Sequence, residues 1–229
     1  MARLHATSPL GASEGMTLSD VRFHIGVAKR ARNALLFRPE ALCEADSTLP
    51  ASIADILVEA DTIYIVRFVS QDPEPKMGYL SFATYVAKTL AEMSGAQMIW
   101  DTEAQRFFVA DELAQMLVDN ADSSRFDLHV GVRWTETTEE GRAFTRGMAK
   151  KGLPDVEFPS QPLDQRTLAM FLVEGVARQW WSAGETGLCE LEDFGEVFDV
   201  EFGEPVPGAP THRGWMSTLH ALRKRRISV

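Results

Sequence analysis

Residues 144–158, FTRGMAKKGLPDVEF, bring together the residue types from which an anion site could be built. Gly147 and Gly152 can adopt positive φ, so the backbone between them could turn its N–H groups to one side, where Arg146, Lys150 and Lys151 would add positive charge. Asp155 and Glu157 follow two residues apart, a spacing that projects both carboxylates from one face of a strand, and His129 could complete an acid/base set with them. On this reading an anionic metabolite sits at the 145–157 turn, held by Arg146, Gly147, Lys150 and Lys151 and acted on by His129, Asp155 and Glu157. The same residues also describe a corner, with a bulge at Gly147, a turn at Gly152 and Pro154, and lysines as its wet rim. Asp101 and Glu103 repeat the two-residue spacing beside DTEA, where a solvated turn accounts for them equally well.

A second signal lies downstream. From Gln179 to His212 there is no Lys or Arg, while Glu185, Glu190, Glu192, Asp193, Glu196, Asp199, Glu201 and Glu204 all fall there, and Arg213 and Arg223–Arg226 follow. Clustered carboxylates raise the encounter rate with a basic partner. Trp180 and Trp181 adjoin the run, and a tryptophan beside a charged rim suits an interface anchor. The expected partner-binding set is therefore Glu190, Glu192, Asp193, Glu196, Asp199, Glu201 and Trp181. A solvated acidic face is the plainer account of the same run.

Other chemistries lack support in the residues. The chain spells no GxxxxGK[ST], GxGxxG, HExxH or CxxC, so phosphate-loop, dinucleotide and zinc sites are not indicated, and no metal or cofactor is expected. The five histidines are scattered. Cys43 and Cys189 stand far apart, which fits two small buried hydrophobes in a reducing compartment. A net charge of −10 disfavours nucleic acid. No apolar run approaches the roughly 20 residues needed to cross a bilayer, and the N-terminal stretch has no apolar h-region, so the expectation is a cytoplasmic protein that binds no membrane. Oligomeric state is not set by these features.

The elements that must position these groups follow from periodicity. VRFHIGVA at 21–28 reads as a strand, with AKRARNALL beside it equally compatible with a helix. LPASIADILVEA predicts a short helix and TIYIVRFVS a strand covered on both faces. YLSFATYVAKTLAEMSG predicts a helix that stops at Gly95, QMIWD and QRFFV a hairpin, and ADELAQMLV a further helix with Asp111 near its start. DLHVGVRWTET alternates, with Leu128, Val130, Val132 and Trp134 on one side, as a half-exposed strand. Residues 163–181 predict a helix with Leu168, Phe171, Leu172, Val176 and Trp180 as its apolar stripe. EVFDVEF predicts a strand, and WMSTLHALRKRR a last helix whose basic end complements its dipole. Without strict βαβ alternation the fold class is α+β, with mainly antiparallel sheets packed against helices and a hint of two similar sub-layers. A flexible N-terminal tail over 1–19 precedes a single domain over 20–229, with a subdivision near 120–128 left open.

TRGMAKKGLPDVEF, with LAEMSGAQMIWDTEAQRFF before it, resembles uncharacterised bacterial cytoplasmic domains. In these a helix ends in a small-residue turn, an (I/V)xD strand follows, and a T(H/R)GMxxxGxP(D/E)xE segment comes later. The resemblance spans roughly residues 60–160. Lys151 departs from it, standing where an aromatic is expected. Some such domains lie near secreted-toxin and immunity genes, so the resemblance implies a binding role and carries over no catalytic residue. The leading expectation is a cytoplasmic interaction module, immunity- or adaptor-like, that binds a basic protein through its acidic C-terminal surface. The alternative is a small enzyme or ligand-binding domain using the 145–157 turn.

Overall fold

The computed structural model describes residues 3–5, 14–18, 21–39, 51–70, 78–119, 124–187, 189–193, 196–202 and 216–225. The fold is α+β, with mainly antiparallel sheets and helices packed against them. The chain divides into two compact units where a single domain was expected. One comprises Met1–Asp101 and Phe107–Ser124, the other Thr102–Arg106 and Arg125–Val229, so the main boundary falls inside the 120–128 window.

The first unit holds a four-stranded antiparallel sheet in the order β1 (Arg3–His5), β2 (Glu14–Leu18), β3 (Val21–Lys29) and β4 (Thr62–Ser70). The first two strands occupy part of the stretch expected to be a tail. β3 and β4 pair over their full length, from Val21↔Ser70 to Lys29↔Thr62. The run after β3, compatible with helix on composition, instead turns at Lys29–Arg32 and forms a single 3-10 turn at Ala34–Phe37. Arg30 explains that turn. Its guanidinium donates to the carbonyls of Leu57 (2.7 Å) and Ala60 (2.9 Å), which helix α1 (Ala51–Glu59) leaves without partners at its C-terminal end, and it lies over the buried Phe37 ring at 4.7 Å. Among the described residues β4 is an edge strand and not the interior one expected: it bonds only to β3, and its Tyr64 and Ile65 are 42% and 40% exposed. The unit also contains α2 (Gly78–Ser94), β5 (Met98–Asp101), most of β6 (Arg106–Val109) and α3 (Ala110–Asp119), whose first turn carries Asp111 and Glu112 where carboxylates favour the helix dipole. The predicted hairpin is present, and Trp100 stacks on Phe107 across it at 5.6 Å.

The second unit is a six-stranded sheet with one long helix. Its strands are β7 (Gly131–Glu136), β8 (Glu140–Arg146), β9 (Asp155–Pro162), β10 (Glu190–Asp193), β11 (Glu196–Phe202) and β12 (Met216–Arg225), in the order β10-β11-β12-β9-β8-β7. All pair antiparallel except β12 with β9. A short helix α4 (Phe126–His129) precedes β7, so Leu128 belongs to a helical turn and not to the strand expected there. Helix α5 (Arg166–Ala183) packs on β7, β8, β9 and β10. Its buried stripe is Ala169, Leu172, Val173, Val176, Ala177, Trp180 and Trp181; Phe171, expected on that stripe, is 41% exposed. The stripe is rotated because small residues, Ala169 and Ala177, face the sheet and let the helix approach it. Gly175 does the same locally, since a side chain there would start 2.8 Å from a methyl of Leu191.

The expected last helix is a strand. MSTLHALRKR contains good helix formers, but β12 enters the middle of the sheet between β11 and β9, and pairing on both sides outweighs a local preference of a few tenths of a kcal/mol per residue.

Candidate functional site

Gly147 and Gly152 frame the opening stretch with φ of +109° and +71°, enclosing a 3-10 turn at Met148–Lys151. Gly147 is required by space as well as by angle, since a Cβ there would sit 2.2 Å from the carbonyl oxygen of His129. Within the turn the backbone N–H of Met148 does point at an anion. That anion is the protein's own: Asp155 Oδ1 accepts from Met148 N (3.2 Å) and from Thr145 Oγ1 (3.0 Å), while Thr145 Oγ1 in turn accepts from Val156 N (2.9 Å).

The two lysines have structural work of the same kind. Lys150 Nζ donates to the carbonyl of His129, the last residue of α4, at 3.0 Å. Lys151 Nζ donates to the carbonyl of Trp181 in the last turn of α5 and lies 5.2 Å from that Trp ring. Each lysine therefore answers carbonyls that a helix C-terminus leaves unpaired. Arg146 completes the corner. Its Nη1 is buried, lies 3.9 Å from Asp155 Oδ2 and makes no hydrogen bond, and its guanidinium covers the Phe144 ring at 4.8 Å. Burial lowers the Arg146 pKa, with Asp155 opposing the shift.

The three expected acid/base residues engage different partners. Asp155 is buried, and loss of solvation raises its pKa to about 6, against the hydrogen bonds and Arg146 that favour its charge. Glu157, also buried, lies two residues on and pairs with Arg142 Nη1 at 3.2 Å. The buried His129 ring stacks on Trp181 at 5.9 Å. Among the described residues no three His, Cys, Asp or Glu side chains gather as metal ligands would. Asp101 closes β5, and Glu103 is exposed in the turn after it.

Trp181, expected at an interface rim, is 4% exposed: Phe126 meets it edge-on at 6.1 Å and His129 face-on, so it anchors α5 to α4 inside the unit. Glu190 is exposed at the start of β10. Glu192, Asp193, Glu196, Asp199 and Glu201 are placed by backbone register, and their side chains lie outside the described residues. That register is informative. It sets Glu190 opposite Asp199 and Asp199 opposite Arg223, with Glu192 opposite Val197 and Val197 opposite Arg225. The basic cluster that follows the acidic run in sequence thus returns beside β11.

Sequence reasoning passed over one polar cleft. A space of about 240 Å³ opens between α4, β7 and α5, lined by Arg106, Arg133, Asp127 and Glu174 among others. Arg106 donates to the Asp127 carbonyl, Arg133 to the Gln105 carbonyl, and Arg178 binds both Asp127 and Glu174. Its volume falls below the roughly 300 Å³ at which pockets for small organic ligands begin. The alternation of Arg133 with Val132 and Trp134 was the available signal for it. Residues 11–15, GASEG, also spell GxSxG, but that motif serves a nucleophile only on a strand-to-helix turn, whereas Glu14 and Gly15 open strand β2; residues 11–13 lie outside the described residues. Burial raises the Cys189 thiol pKa, as for an inert core cysteine, and Cys43 lies outside the described residues. Among the described residues no helix is long and apolar enough to cross a membrane. No family model, curated protein or solved structure matches the chain.

Proposed function

We propose that the protein is a cytoplasmic interaction module that docks a basic protein on the acidic end of its six-stranded sheet, in the manner of an immunity protein or an adaptor. The observation that carries this reading is the position of β10. It is the outermost strand at its end of the sheet, and three of its four residues are Glu190, Glu192 and Asp193. Strands lie about 4.8 Å apart, so β10 is roughly 10 Å from the arginines of β12, about one Debye length at 0.1 M salt. Asp199 on β11 has Arg223 opposite it on β12; among the described residues β10 pairs only with β11, whose sequence holds no Lys or Arg. An edge strand of this composition carries net negative charge, which accelerates and orients association with a cationic surface.

The test is affinity capture from the native host at low salt with two variants. Glu190→Gln/Glu192→Gln/Asp193→Asn is expected to lower recovery of a basic partner by about tenfold, and Asp199→Asn/Glu201→Gln by much less, with both effects shrinking as salt rises. Equal recovery by the wild type and the first variant, or a stoichiometric partner that is not basic, overturns the proposal.

A further inference from the structure

Among the described residues the two larger sheets end on four strands, β1, β4, β7 and β10. Three carry features that keep sheet edges from pairing with other chains. β1 has only three residues, β10 has four of which three are acidic, and β7 starts at a glycine and bears Arg133 and Glu136. β4 is different: nine residues, TIYIVRFVS, with one charge and no proline. Tyr64 is exposed beside its β3 partner Val27, which is 53% exposed, and Ile65 is exposed on the opposite face, so the edge carries apolar surface on both sides. A long apolar edge of this kind is a template for another strand.

The sequence of β4 also says which strand. About Val66 it mirrors itself by residue type: Tyr64 with Phe68, Ile63 with Val69, Thr62 with Ser70. We infer that β4 is a homodimer interface, in which the β4 strands of two copies pair antiparallel across a two-fold axis at Val66. Tyr64 then stands opposite Phe68, Ile63 opposite Val69 and Thr62 opposite Ser70, each twice over, as an isologous contact requires, with Val66 opposite its own mate. Ile65 faces Arg67, whose aliphatic stem can lie along it, and no two like charges stand directly opposite. Two four-stranded sheets join into one antiparallel sheet across the axis. The inference is independent of the acidic edge, which belongs to the other unit.

Sedimentation equilibrium over a range of concentrations is expected to show a reversible dimer, and Ile65→Lys is expected to shift it to monomer with unchanged circular dichroism. A crosslink fixes the register whatever the fate of that variant. Residues facing each other across antiparallel strands have Cα atoms about 4.5–5.5 Å apart, within disulfide range, so Val66→Cys is expected to yield an oxidised dimer with its own mate. Ile63→Cys faces Val69 and lies roughly 20 Å from the other Ile63→Cys at about 3.3 Å per residue, so it is expected to yield none. Both are made with Cys43→Ser. A wild type that stays monomeric at the highest concentration overturns the inference, as does a Val66→Cys protein that fails to crosslink or crosslinks no better than Ile63→Cys.

Discussion

At pH 7 the Asp155 carboxylate is held charged in a buried place by two hydrogen bonds and a guanidinium 3.9 Å away. Its folded pKa of about 6 lies above the value near 3.9 of an unfolded chain, so the folded protein binds this proton more tightly. The resulting stabilisation is complete below about pH 3.9 and is lost as pH rises through about 6. Asn at this position keeps an acceptor for Met148 N and Thr145 Oγ1 but cannot titrate. The stability difference between wild type and Asp155→Asn, measured by urea unfolding, is therefore expected to move in favour of Asn by about 2–3 kcal/mol between pH 4 and pH 7. A difference that stays constant over that range would assign the linkage to another group. The reach of Asp155 back to Met148 was not legible in the sequence, which shows basic residues around two glycines but not which anion they surround.

Helix α5 shows what periodicity conveys and what it does not. Apolar residues three and four apart announce a helix, and one formed where expected; which side meets the sheet depends on partners far along the chain. Leu172→Ala is expected to cost about 2–5 kcal/mol and Phe171→Ala less than about 1 kcal/mol, because Leu172 is fully buried and Phe171 is 41% exposed. Thermal or urea unfolding of the two variants checks this, and equal losses would restore the stripe expected from spacing alone. β3, the hairpin of β5 and β6, α2 and β11 were legible because alternation and turn residues report on their own surroundings. β12 was not, because its extended form is imposed by β9 and β11, and the edge position of β4 was hidden by a composition that suits an interior strand.

Each unit takes up residues that are discontinuous in the chain, since the tip of the β5–β6 hairpin, Thr102–Arg106, belongs to the second. Ala104 has no exposed surface, its carbonyl oxygen lies where a side chain at position 131 would begin, and Gln105 accepts from Arg133. A fragment of residues 125–229 lacks this support. It is expected to be less stable by about 2–4 kcal/mol than the same unit in a full-length Trp100→Phe chain, read from tryptophan fluorescence in urea, whereas matching midpoints would make the tip dispensable. The parallel pairing of β12 with β9 joins Met216 to Asp155, about 60 residues apart, and it comes between two antiparallel hairpin sets. Contacts so distant in sequence form slowly. During synthesis at 5–20 residues per second, β7–β9 and α5 emerge seconds before the strand that links them to β10 and β11. For that interval the acidic hairpin has no basic neighbour, and its charge keeps an unfinished sheet edge from recruiting other chains.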